Sequence, residues 1–403
     1  MDTPAPATRW GLVWIAVAAG MVAAMHMGKA PPALPQLRDE IGLSLVGAGW
    51  VVSLFNVVGG LLGLVAGTFG DRFGSRRVVV AGLAALALGS LFGAVSDGSV
   101  TLLASRFLEG LGFIAVATAT PGLIVAATRT TDLRLALGAW ATYMPAGSAL
   151  AMLLAPLLLV PLGWRGVWVA AAALALAWAA LLMARMPADP PATERTGGAS
   201  LLRNIALTVA RPGPWVLAIA FGCYTLQWVA LMVWLPTFLT EQRALTIGTA
   251  SLLTALVIAC NVPGNLLGGW LLHRHLARWK LLALSGVGMI ACMAVIFAAS
   301  LPDAPRYVAC LVFSLFGGML PAAVLSGAPV VAPSAGQVAT TNGLLIQGSN
   351  VGQMVGPPAL AWLVTLTADW QSGYWMLQGA ALAVVVLAFV YRTVERRLLP
   401  ASG

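Results

Sequence analysis

A chain of 403 residues, 60% hydrophobic and only 9% charged, is not an ordinary water-soluble globule, whose charged share is roughly 25%. Spans of about 20 apolar residues joined by short loops fit about twelve membrane crossings into this length. The formal charge of +9 does not point to nucleic acid, because the basic residues stand singly or in small groups between apolar runs and form no polar face.

The first apolar run, Trp10 to Met27, is longer than a signal-peptide core, lacks a small-residue cleavage site and is followed by many more such runs, so it reads as a retained span. Charge and Pro/Gly punctuation predict spans near 10–30, 46–69, 77–96, 100–127, 134–160, 165–184, 214–239, 248–272, 280–300, 304–328, 338–366 and 372–391. With the N-terminus inside, the inner segments hold Arg9, Arg72, Arg76, Arg77, Arg129, Arg134, Arg185, Arg195, Arg203, Arg211, Arg274, Arg278, Lys280, Arg392, Arg396 and Arg397. The outer segments and helix ends hold Lys29, Arg38, Arg165, Arg243 and Arg306. The positive-inside rule therefore puts both termini in the cytoplasm of a bacterial-type inner membrane.

In the first span, His26 and Lys29 are three residues apart and share a face. Lys29 either faces the interior or snorkels from the outer end of the helix, because Pro31 and Pro32 follow directly. In the fourth span Arg106 and Glu109, also three apart, are expected to pair. Glu109 is the acid inside a span and hence a candidate for reversible protonation, with a static ion pair as the competing role. His26, whose side chain type titrates near neutrality, is the alternative proton site. Trp140 and Tyr143 in the fifth span, with Trp228 and Trp234 in the seventh, could wall a substrate site or anchor at the interface.

The hydrophilic stretch from Arg185 contains Pro190-Pro191 and Gly197-Gly198, the composition of a flexible linker. It divides the chain into a first six-helix unit, 1–184, a cytoplasmic linker, 185–213, and a second unit, 214–403. The second unit carries no charge deep in its seventh, eighth, tenth or eleventh spans, but has Tyr224, Gln227, Asn261, Asn265, Asn342, Gln347, Asn350 and Gln353. Each is either an interhelical hydrogen-bonding residue or a ligand for solute. Cys223, Cys260, Cys292 and Cys310 read as small packing residues. Pro121, Pro145, Pro263, Pro321 and Pro357-Pro358 interrupt strong helices, which makes the fifth, eighth and eleventh spans the expected bending elements.

The halves repeat at an offset of about two hundred residues, as duplicated transporter units do. Gly63-x-x-x-Gly67 recurs as Gly264-x-x-x-Gly268, and the run Gly138 to Gly147, followed by Trp164 and Trp168, is echoed by Gly343 to Gly352, followed by Trp370 and Trp375. Between the second and third spans stands Gly67-Thr-Phe-Gly70-Asp71-Arg72-Phe-Gly74-Ser75-Arg76-Arg77. This resembles the signature loop of the major facilitator superfamily, with Phe69 at the usual Leu and Ser75 at the usual first basic position. The copy in the second half, Gly268 to His275, has lost the acid. Arg106, Gly110 and Gly112 are similar to the family's Arg-x-x-x-Gly-x-Gly element, whose arginine is buried in relatives and linked with proton movement. The drug-antiporter element Gly-x-x-x-Gly-Pro is missing from the fifth span and appears in the eleventh, as Gly352 to Pro357. The stretches Lys29 to Arg38 and Trp140 to Pro145 look most like the cyanate and nitroimidazole branch.

The resemblance implies an all-α polytopic protein of twelve helices in two pseudo-symmetric bundles, working by alternating access. It makes Gly67, Asp71, Arg72, Gly74, Arg76 and Arg77 a conformational latch. Lys29, Arg106 and His26 against Glu109 favour an anion, bridged from the basic first half to donors of the second. The expected substrate ligands are His26, Lys29, Arg106, Tyr143, Tyr224, Gln227, Gln347 and Asn350. The expected function is proton-coupled uptake of a small carboxylate or cyanate-like ion by a monomer, with a proton-coupled exporter of drugs or metabolites as the alternative. No cofactor, metal or nucleic-acid partner is expected. The three histidines form no HExxH pattern and no phosphate-binding glycine loop is present, so catalysis is not expected.

Overall fold

Backbone polar groups that cross hydrocarbon must satisfy one another, and the apolar runs of this chain do so as helices. The computed structural model describes residues 7–189, 201–334 and 337–398, and the side chains of residues 65–73, 134 and 201 fall outside that description. The helices are α1 (Trp10–Gly28), α2 (Ala30–Ile41), α3 (Leu45–Phe73), α4 (Ser75–Ala94), α5 (Ser99–Ala127), α6 (Leu133–Ala141), α7 (Tyr143–Arg185) and α8 (Leu201–Val209). They continue as α9 (Pro212–Arg243), α10 (Ile247–Ala259), α11 (Asn261–His273), α12 (Arg278–Ile296), α13 (Asp303–Val331), α14 (Val338–Thr367) and α15 (Gly373–Leu398).

Ten stretches of the described residues are long and apolar enough to cross a membrane, α1–α2 and α10–α11 each counting as one. The α7 stretch has 43 residues, about twice what a hydrocarbon core of about 30 Å requires. It is two crossings joined at Gly163, whose φ of 63° and ψ of −176° break the helix where Pro161 to Trp164 predicted a loop. α14 has 30 residues and packs chiefly between α3 and α9. With these two, the described residues make twelve crossings.

The prolines act by position. Pro31, Pro145 and Pro263 sit in the first turns of α2, α7 and α11, where an amide hydrogen has no helical partner, and the helical hydrogen bonding lapses just before them at Lys29, Thr142 and Cys260, whose φ and ψ stay helical. Pro121, Pro321 and the pair Pro357-Pro358 remain inside the continuous α5, α13 and α14. Of the three spans expected to bend, the fifth and eighth are interrupted and the eleventh is not.

Close helix packing comes from small residues, since lipid supplies no hydrophobic drive between spans. A Cβ on Gly110 would meet the Phe55 backbone of α3, and one on Gly112 the Gly82 backbone of α4. The Gly-x-Gly element thus lets α5 wedge between two helices at once. On α14, Gly348, Gly352 and Gly356 lie against the carbonyls of Ala218, Gly222 and Leu226 of α9. Large apolar side chains such as Leu157 (69% exposed) and Leu61 (68%) cover the outer surface, as expected where lipid is the solvent.

Candidate functional site

The charged residues inside the spans converge where α1, α4, α5 and α7 pack together. Helical spacing puts His26 of α1 and Lys29, the residue that follows α1 in helical conformation, on one face, and Arg106 and Glu109 on one face of α5. Gly89 of α4 leaves the space for Glu109, since a Cβ there would lie 2.7 Å from Glu109 Cγ.

The Glu109 carboxylate is the hub. Its Oε1 accepts from Lys29 Nζ at 2.6 Å and from Ser90 Oγ at 2.6 Å, and its Oε2 accepts from Arg106 Nη1. Lys29 also donates to Ser90 Oγ. His26 Nδ1 lies 3.4 Å from Lys29 Nζ and 3.4 Å from Glu109 Oε1. Arg106 does more than pair: Nε donates to the Val51 carbonyl at 2.9 Å and Nη1 to the His26 carbonyl at 3.0 Å, so it ties α5 to α3 and α1. The Lys29 ammonium lies 4.5 Å from the Trp168 ring centroid and the Arg106 guanidinium 4.8 Å from that of Phe55, contacts that partly replace lost hydration.

His26, Arg106 and Glu109 are fully buried and Lys29 is 2% exposed. The structure therefore removes the snorkelling alternative for Lys29: the chain stays helical through Pro31 and Pro32 to Ile41, so Lys29 is internal to a long crossing. In this conformation the cluster is sealed from bulk solvent. Two basic side chains face one carboxylate, and unbalanced charge is costly at this depth. Arg106 Nη2 and His26 Nε2 are buried without a hydrogen-bond partner among the described residues.

The remaining predicted ligands lie elsewhere. Tyr143 stacks on Trp140, with centroids 4.1 Å apart, and a row of rings, Phe113 (6.5 Å) and then Phe55 (4.9 Å from Phe113), links it to the cluster. Tyr224 accepts from Asn261 Nδ2 at 2.9 Å, and Gln227 Nε2 bonds its own helix at the Cys223 carbonyl while its Oε1 is unpartnered among the described residues. Gln347 and Asn350 pack on Gly63 and Gly59, in the seam between α14 and α3. Sequence reasoning missed Ser90 and Trp168, because a serine or tryptophan in a span carries no spacing signal that points to a distant charge.

Of the loop between the second and third spans, Gly74 has a φ of 93° and starts α4. Asp189 accepts from the backbone amides of Arg76 at 2.9 Å and Arg77 at 3.0 Å, capping α4, and Arg76 Nη2 donates to the Met183 carbonyl at 2.5 Å. A carboxylate here meets free amides and the positive end of the helix dipole. The side chains of Asp71 and Arg72, and Gly67 with them, lie outside those described, as do residues 190–200 of the predicted linker.

A model of the Major Facilitator Superfamily matches residues 15–346 and 217–403. The chain is 26% identical over 391 residues to a protein of Cupriavidus necator named probable sulfoacetate transporter, covering 89% of this chain and 88% of that one. It is 24% identical to the methylenomycin A resistance protein of Bacillus subtilis, covering 93% and 92%. It is 29% identical over 267 residues to the cyanate transport protein of Escherichia coli, covering 63% and 64%. Among solved structures, a bacterial homologue of the lysosomal transporter Spinster, crystallised inward-facing and unoccupied, aligns over the whole of both chains with a TM-score of 0.78 at 15% identity. That likeness is one of fold. The relatives spread over several branches and do not single out the cyanate and nitroimidazole branch.

Proposed function

The chain belongs to the Major Facilitator Superfamily as a multi-pass membrane transporter of a small solute, not an enzyme, and we propose that it imports a small organic anion together with a proton. The observation that carries this reading is the imbalance of the buried cluster, where Lys29 and Arg106 share the single carboxylate of Glu109. Protonation of Glu109 would release two buried cations at once. A substrate anion would then restore the balance, so proton and anion binding favour each other, and linkage makes that coupling reciprocal.

In this reading the two units, 1–184 and 214–403, rock about the linker 185–213, and both termini are cytoplasmic in an inner membrane. The anion meets Tyr143, Tyr224, Gln227, Gln347 and Asn350 near the midplane when the α3–α14 seam opens, and Lys29 turns from Glu109 toward it. His26 beside both groups shuttles the proton. The loop Gly67 to Arg77 and its Asp189 cap hold one of the two states.

The test is uptake of labelled small sulfonates, carboxylates and cyanate into proteoliposomes under an imposed inward proton gradient. Accumulation that collapses with a protonophore and with Lys29→Met supports the reading; gradient-independent flux, or no anion taken up, defeats it. The full-length similarity to a resistance protein favours a second reading, proton-coupled export. Proton-driven loss of preloaded hydrophobic cations would establish that reading instead.

A further inference from the structure

A chamber lies in the latter half of the chain, lined by no residue of the Glu109 cluster. It is a cavity of about 400 Å³ bounded by α9, α10, α12, α13, α14 and α15. Its wall is made of buried apolar residues, among them Leu231, Trp234, Ile296, Cys310, Leu360 and Leu377. It lies where α9, α12 and α14 end and α10, α13 and α15 begin, so it sits at the membrane face opposite the linker. The volume falls in the range of small-molecule sites, about 300–1,000 Å³. An apolar occupant would gain dispersion contacts with this wall.

The polar rim is one-sided. Arg243 Nε donates to Asp303 Oδ1 at 2.9 Å, and Arg306 Nη1 lies 3.6 Å from the same oxygen while its Nε donates to the Ile296 carbonyl at 2.7 Å. Two guanidinium groups thus share one carboxylate at the mouth of an apolar chamber, leaving net positive charge beside its apolar wall. Tyr307 closes one wall by donating to the Leu253 carbonyl at 3.0 Å.

We propose that this chamber binds a single-chain amphipathic anion, a medium-chain to long-chain carboxylate, with its chain against Trp234, Cys310 and Leu360 and its head group on Arg243 and Arg306. The apolar wall supplies affinity without choosing a sign of charge, and the arginine pair selects the anion by charge-assisted hydrogen bonds. The proposal does not depend on the uptake reading.

The experiment uses the wild-type full chain in phosphatidylcholine nanodiscs and follows its melting temperature. Dodecanoate is expected to raise it, with dodecanol and dodecyltrimethylammonium raising it less than about half as far. Arg243→Gln combined with Arg306→Gln should raise the dodecanoate concentration that gives half the rise about tenfold. Leu253→Trp, which fills the chamber, should abolish the rise, and Gly379→Ala, outside the chamber, should leave it intact. Equal rises with all three chains, a rise indifferent to the arginine changes, or a rise with phosphatidylglycerol but not dodecanoate would overturn the proposal.

Discussion

Lys29, at the junction of α1 and α2, and Glu109 of α5, eighty residues apart in the chain, meet at 2.6 Å with both side chains all but removed from solvent. The pair sits against Ser90, His26 and Arg106, so a change at either member is felt by several buried polar groups.

Removing one partner of a buried pair costs roughly 3–5 kcal/mol because the other charge is left uncompensated, while removing both can be nearly neutral. Lys29→Met leaves Arg106 to neutralise Glu109 and should cost least. Glu109→Gln leaves two cations and should cost most. The double variant Lys29→Met with Glu109→Gln should recover part of that loss, by about 1 kcal/mol or more of coupling. Thermal unfolding of the four proteins in one detergent checks this, and strictly additive losses would contradict the contact as drawn.

Glu109→Gln also bears on coupling. If the carboxylate takes the transported proton, uptake by this variant should lose its dependence on external pH while residual solute exchange persists. A pH profile parallel to the wild type would place the proton elsewhere, with His26 the next group to change.

Asp189 caps α4 across more than a hundred residues of chain. Asp189→Ala should cost about 0.5–2 kcal/mol, the usual worth of an N-terminal cap. Because the cap joins the end of α7 to the start of α4, the maximal transport rate should shift several-fold with little change in the half-saturating solute concentration, which initial-rate measurements resolve.

Gly352 and Gly379 differ only in what surrounds them. A Cβ on Gly352 would run into the Gly222 carbonyl of α9, whereas one on Gly379 meets nothing within 4 Å. Gly352→Ala should destabilise by about 1–3 kcal/mol, and Gly379→Ala should stabilise by about 0.5–1 kcal/mol through helix propensity. Paired melting curves decide it.

The crossings, the linker composition and the inventory of intramembrane charges were all legible along the chain. The free-energy cost of placing a residue in hydrocarbon is set residue by residue, so a run of sequence reports it directly. His26 with Lys29, and Arg106 with Glu109, could be placed on shared faces for the same local reason. Even the breaks before Pro31, Pro145 and Pro263 follow from chemistry confined to one helical turn.

What the chain could not disclose was which way each helix turns and what it meets. That Ser90 joins Glu109, that Trp168 covers Lys29, and that Gln347 and Asn350 lie in the α3–α14 seam away from the charges depend on helix rotation and on glycines facing particular backbones. The apolar chamber beneath Arg243 and Arg306 is of the same kind. Contacts between helices far apart in sequence are decided by packing in three dimensions, and no spacing along one strand of chain encodes the partner on another.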